Sequence, residues 1–293
     1  SKNVVPHRRK INCKFFFNKK IENNSFQKEA LQQSISEKNF YMIQGPPGTG
    51  KTTVIKELIF QELKNSSGKN ILVTSQTNVA VDNVLKGLVD DYGDKQDIFD
   101  INECIRCGRE EAIDDDLVSI SFEKKYNEYL SKIEDLEKTD ENKELVEKWQ
   151  EYVLFSGEVE QDIGELILKD NKIVGATLVG LAQRKIGLDR MNFDLVIIDE
   201  ASKALPGEIL ISLLRAKKVI IIGDHKQLPP FINSVLYDKE KINLKDREYC
   251  KNEMFEKSLF ERLYENCPES NKAMLKTQFR MPAVVGNMIS KLF

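Results

Sequence analysis

The sequence predicts an α/β protein: a parallel sheet flanked by helices, with a helical hairpin inserted into it. Three observations predict this. Short, nearly continuous apolar runs recur at residues 40–43, 71–73, 173–179, 195–198 and 219–222 with helical patterns between them. Runs that do not alternate suit strands covered on both faces, which is the condition of a parallel sheet. A glycine-rich loop falls directly between the first run and a helix, and a later run ends in two adjacent carboxylates, Asp199 and Glu200. That placement sets both acids at the carboxyl edge of the sheet, where open α/β folds bind ligands.

The bulk properties are consistent with such a fold. The chain has 293 residues, 41% hydrophobic and 31% charged, which excludes disordered, collagen-like and membrane-spanning classes and leaves room for one large domain or two ordinary ones. Its formal charge of −3 provides no global positive field, so net charge leaves the partner open. Five cysteines, Cys13, Cys104, Cys107, Cys250 and Cys267, are an odd number with no secretory signal before them, and a reducing cytoplasm is expected. The chain begins at Ser1 and ends inside an apolar-periodic run (Val284, Val285, Met288, Ile289, Leu292), so a piece of a longer protein is expected.

Within the chain, residues 52–63 carry Val54, Ile55, Leu58, Ile59 and Leu63 on one helical stripe, which Asn65-Ser66-Ser67-Gly68 ends. Residues 114–169 contain no strand candidate. Phe122, Tyr126, Tyr129, Ile133 and Leu136 step by four and three, and Leu145, Trp149 and Tyr152 repeat the pattern after the polar break Thr139-Asp140-Glu141-Asn142. This is the inserted hairpin, read either as a packed surface appendage or as a lid or protein-binding arm.

The loop is Gly45-Pro46-Pro47-Gly48-Thr49-Gly50-Lys51-Thr52, which fits G-x-x-x-x-G-K-[ST] in the strand-to-helix context that the mechanism demands. Glycines let successive backbone N–H groups turn inward around a phosphate, and the helix N-terminus adds its partial positive charge. Lys51 would reach the β- and γ-phosphates of ATP, and the Thr52 hydroxyl would bind Mg2+. The fold class is thereby a P-loop NTPase. Asp199 is the expected second magnesium ligand, through water, and Glu200 the candidate general base for an attacking water. The run 219–222 leads into Gly223-Asp224-His225-Lys226-Gln227-Leu228-Pro229-Pro230, where a stiffened turn would hold Gln227 near the γ-phosphate; the plainer reading is a rigid turn with a solvated His225.

In order, these segments resemble superfamily 1 helicases, and within them the branch of the nonsense-mediated-decay and immunoglobulin-mu-binding helicases. The resemblance rests on Gln27-Lys28-Glu29-Ala30, the loop segment from Gln44 through Thr53, Thr77-Asn78-Val79-Ala80-Val81-Asp82, Asp199-Glu200-Ala201-Ser202, the segment 223–230, Ser258-Leu259-Phe260-Glu261-Arg262-Leu263, and Gln278-Phe279-Arg280-Met281. It implies a RecA-like sheet, Gln27 on adenine, Thr53 beside the other nucleotide-binding residues, Phe279 stacked on the base, and Arg280 as an arginine finger. Thr77 and Asn78 match residues that touch the backbone of single-stranded DNA or RNA, although both also suit a helix cap.

The expected organisation is a RecA-like motor domain in two parts, 1–113 and 170–276, around the helical insertion 114–169, with 277–293 starting a linker. Members of the resembled family continue into a second RecA-like domain, whereas 13 residues follow Arg280 here. The expected function is an ATP-dependent helicase or translocase, 5′ to 3′ by resemblance. An ATPase switch that regulates an attached effector, or a scaffold with a structural nucleotide, stands as the alternative, and no membrane partner is expected. Cys104-Ile105-Arg106-Cys107 is discounted as a metal site because residues three apart on a strand face opposite ways, and His7-Arg8-Arg9-Lys10 is read as a solvated arm.

Overall fold

The computed structural model describes residues 15–66, 68–91, 98, 100–134, 143–155, 159–228, 230, 257–282 and 285–286, with side chains at 154 and 155 left aside. The arm at 7–10, Cys13, Leu136, the break at 139–142, Pro229, Cys250 and the apolar run from 287 onward lie outside these residues. Seven parallel strands form one sheet: β1 Phe40–Gln44, β2 Ile71–Ser75, β3 Cys104–Arg106, β4 Ile173–Thr177, β5 Leu195–Asp199, β6 Val219–Gly223 and β7 Lys272–Met274. Their order across the sheet is β3-β4-β2-β5-β6-β1-β7.

Double coverage explains the unalternating runs. Ile43, Ile71, Val73, Leu195, Ile197, Ile220 and Ile222 join one core cluster, while Met42, Leu72, Val174, Val196, Ile198 and Ile221 join another on the opposite face. Each fully buried side chain of this kind contributes roughly 1.5–3 kcal/mol relative to exposure. Helices α1 (Lys19–Glu22), α2 (Ser25–Ser36), α3 (Lys51–Asn65) and α4 (Asn78–Asp91) supply buried residues to the first face. The second is covered by α7 (Val159–Lys169), α8 (Pro206–Leu213) and α9 (Leu259–Asn266), numbered in chain order after α5 (Phe122–Glu134) and α6 (Lys143–Phe155).

The hairpin expected at 114–169 corresponds to α5 and α6, which are tied where Gln150 Nε2 donates to Ile133 O at 3.1 Å. The segment also contains a third helix that the sequence reading did not separate. In α7, Val159, Ile163, Ile167 and Leu168 are buried against the sheet, so this helix is a layer of the sheet domain. Two edge strands, β3 and β7, have three residues each, too short to show as apolar runs. Cys104 and Cys107 fall in opposite core clusters, and burial pushes both thiols up to about 12.

Buried acids on α3 lock the parts together. Glu57 accepts from the backbone N–H groups of Phe17 and Asn18, both at 2.9 Å, anchoring the segment before α1. At the amino edge of the sheet, Glu62 receives Lys218 Nζ at 2.7 Å and also pairs with Lys69. Burial alone would raise the Glu62 carboxyl, but the charges and hydrogen bonds of Lys218 and Lys69 outweigh it and hold the group below its usual 4.5. Ionised Glu62 therefore stabilises the fold above pH 4.5, and that contribution is lost as pH falls through the lower folded value. Glu62→Gln leaves Lys218 buried beside a neutral amide and should cost about 3 kcal/mol in urea unfolding at pH 7, with the gap to wild type narrowing under acid.

Candidate nucleotide site

Everything at the site hangs from the carboxyl edge. The ladder between β1 and β6 continues one step further, Gly45 N donating to Gly223 O at 2.9 Å, and the chain then turns through the loop into α3. Thr49 Oγ1 donates to Pro46 O at 2.7 Å and closes the turn, while Pro47 is exposed and Thr52 and Thr53 lie half-buried in the first turn of the helix. Lys51 Nζ folds back to donate to Gly45 O at 2.9 Å.

Two glycines are required here. Gly48 and Gly50 have φ of +74° and +79°, in the left-handed region that side chains rarely adopt. A Cβ at Gly50 would stand 2.7 Å from Gln27 Nε2, and one at Gly48 would stand 2.6 Å from Arg280 Cβ. The missing side chains thus admit two neighbours as well as a bent backbone. Gln27, placed by the Asn24 cap of α2 and almost wholly buried, donates through Nε2 to Thr49 O at 2.9 Å. On the other side, Phe279 N donates to Gly48 O at 2.7 Å, and Gln278 closes a turn on Met281 with two bonds of 2.8 Å. Phe279 and Arg280 are therefore brought to the loop by their backbone, with both side chains exposed.

The carboxylates differ in environment. Asp199 is 5% exposed at the end of β5, and its Oδ1 accepts from Glu200 N at 2.8 Å. Burial first, and then the charge of Glu200, push its carboxyl up to about 6 despite Lys51. Such a group has too little counter-charge for its burial, and a carboxylate so placed is a fitting ligand for a divalent cation. Glu200 adopts φ 52° and ψ 33°, the one left-handed non-glycine among the described residues. That conformation, which costs about 1 kcal/mol or more, turns the side chain to meet Lys203 Nζ at 2.8 Å and Lys51 Nζ at 3.4 Å. Burial would raise its carboxyl, but Lys203 and Lys51 together hold it below the usual value.

Past β6, Asp224 is the anchor that sequence reasoning missed. It is 2% exposed, accepting from Lys226 N at 3.1 Å, Gln227 Nε2 at 3.1 Å and Gln44 Nε2 at 3.4 Å. Gln227 is thus held at the same edge through Asp224. His225, which the plainer reading left solvated, is half-buried with its ring 5.7 Å from Tyr264 and 6.4 Å from Phe260, because α9 packs its aromatic face over the turn. Beyond β2, Thr77 Oγ1 accepts from Ala80 N at 3.3 Å, the geometry of a cap, and Asn78 Oδ1 accepts from Arg106 Nη2 at 2.9 Å.

A parallel sheet whose first strand feeds such a loop, with an acid-tipped strand two places along, is the architecture of P-loop NTPases. The chain belongs to the AAA_11 family, an AAA domain, whose family model matches residues 22–156 and 131–235. An uncharacterized ATP-dependent helicase of Methanocaldococcus jannaschii is 29% identical, the alignment covering 95% of this chain and 45% of that protein. The DNA polymerase alpha-associated DNA helicase A of Schizosaccharomyces pombe is 31% identical over 95% of this chain and 40% of its own length, and the DNA-binding protein SMUBP-2 of Mesocricetus auratus is 29% identical over 90% and 26%. The chain spans less than half the length of each of these relatives. Family and relatives agree with the N-terminal RecA-like domain of superfamily 1 helicases that the motif order indicates. Among the described residues no helix is long and apolar enough to cross a membrane.

Gly48→Ala should lower stability by about 1–3 kcal/mol through its φ and its approach to Arg280. Gly68→Ala, where a Cβ meets nothing within 4 Å, should stay within about 0.5 kcal/mol of wild type in the same denaturation experiment.

Proposed function

We propose that the chain is the ATP-hydrolysing first motor domain of a nucleic-acid helicase or translocase. The observation that carries the reading is the meeting of Lys51 and Glu200 at 3.4 Å, between the glycine loop and buried Asp199. In this reading the loop amides from Gly45 to Thr52 and Lys51 hold the β- and γ-phosphates, and Thr52 and Asp199 hold Mg2+. When bound there, such an ion would supply positive charge against that developing on the transferred phosphoryl group. Glu200 accepts the proton of the attacking water, and once Lys51 engages phosphate it is relieved of one of its two cations, which raises its basicity. Gln227 reports on the γ-phosphate, Gln27, Thr53 and Phe279 surround the base, and Arg280 supplies the finger.

Single-stranded DNA or RNA is the proposed partner, held at Thr77 and Asn78. The names of two relatives, a DNA helicase and a DNA-binding protein, support that class; the family resemblance supports 5′ to 3′ movement, and an odd number of cysteines supports a reducing cytoplasm. Exposed Leu145 and Tyr152 on α6 support a protein contact through the insertion.

Calorimetry and steady-state ATPase assays test the assignment. Lys51→Ala should weaken Mg2+-ATP binding at least tenfold, whereas Glu200→Gln should bind normally and lose about 10²–10⁴ in turnover. Single strands should stimulate the intact protein, with an effect that fades as salt rises. Equal turnover in wild type and Glu200→Gln would remove the base assignment, and stimulation absent at low salt would favour the switch.

A further inference from the structure

Arg106 heads the largest side chains that are fully buried, although it ends an edge strand where an apolar residue would fill the space at lower cost. Desolvating a guanidinium costs several kcal/mol unless its donors are used, and here all three nitrogens are. Nε donates to Asp82 Oδ1 at 2.5 Å, Nη1 donates to Cys107 O, and Nη2 donates to Asn78 Oδ1 at 2.9 Å. Asp82 neutralises the charge, and its second oxygen accepts from Asp114 N at 3.3 Å. Asn78 and Asp82 lie four apart on α4 and so share one face.

The third arm has a directional effect. A side-chain amide has an acceptor end and a donor end, and arginine offers only donors. Asn78 must therefore give its oxygen to Arg106, which leaves Nδ2 as the donor still available beside Thr77 and Val79, both exposed just past the carboxyl end of β2. Nδ2 has no hydrogen bond to another described residue. We propose that Arg106 is a positioning residue for nucleic-acid binding: it fixes the Asn78 amide so that Nδ2 donates to a phosphodiester oxygen of the strand passing Thr77. An unfixed amide flips and presents its oxygen to that anion. The proposal rests on the nucleic-acid reading above and adds to it the residue that sets the polarity of the contact.

The test uses the intact protein with fluorescein-labelled oligo(dT) and oligo(rU), read by anisotropy, with ATP-analogue affinity and melting temperature measured alongside. R106K keeps a cation beside Asp82 but loses the fork. It should weaken strand binding about 3- to 10-fold, the loss of one hydrogen bond, with nucleotide affinity unchanged. N78A should match it, and R106K combined with N78A should be no weaker than N78A alone. N78D, which can still accept from Arg106 but faces phosphate with a second anionic oxygen, should bind more weakly than N78A. The proposal is overturned if R106K binds strands as wild type does, if its loss adds in full to that of N78A, if N78D binds as well as wild type, or if nucleotide affinity falls in step with strand affinity. Wild type that binds neither oligonucleotide overturns the nucleic-acid reading itself; wild type that binds while N78A is unaffected overturns the strand contact at Asn78 and with it the role given to Arg106, and leaves strand binding as such standing.

Discussion

The seat of β1 between β6 and β7 is the constraint on which the site depends. On one side Gly45 N reaches Gly223 O at 2.9 Å, and on the other Leu275 N reaches Gln44 O at 2.8 Å. Gln27 of α2 joins the loop through its side chain, but these backbone bonds alone bring two other segments far apart in sequence to it: the turn after β6, and the strand β7 with the residues that follow it. No side-chain chemistry is needed for that convergence. It follows from parallel strands that all end at one edge, and it places Asp224, Glu200 and the Phe279–Arg280 backbone around the glycines before any ligand contact is made.

Electrostatics then divides the two acids. Asp199 is buried with little counter-charge, so its carboxyl is pushed up to about 6, while Glu200, one residue on, has two lysines and is held down. The left-handed backbone at Glu200 separates the fates of neighbouring residues by turning one side chain out of the strand's direction. The carboxylate proposed to bind a cation and the one proposed to accept a proton can thus sit side by side without sharing an environment.

Much of this was legible in the sequence, and the reasons are physical. Strands β1, β2, β4, β5 and β6 showed as apolar runs because both faces are covered, and the loop was legible because its glycines answer to geometry that no other residue meets. Strands β3 and β7 stayed hidden, since a three-residue edge strand has no periodicity, and α7 was hidden because its stripe followed two others of the same period. Glu57, Glu62 and Arg106 were missed for a common reason. A hydropathy pattern assigns charged residues to the surface, and only a three-dimensional partner such as Lys218 or Asp82 reveals otherwise. The Cys104–Cys107 argument from strand alternation is matched by their separation into the two clusters.

The strand order has a mechanical consequence. Segment 107–172, which contains the inserted helices, leaves β3 and returns to β4, neighbours at one end of the sheet, while β1 lies five strands from β3. At about 4.8 Å per strand, the root of that appendage stands about 24 Å from the base of the cradle. An excursion rooted in adjacent strands can grow or shrink between α5 and α6 without rethreading the sheet, so its length is free of the constraint that seats β1.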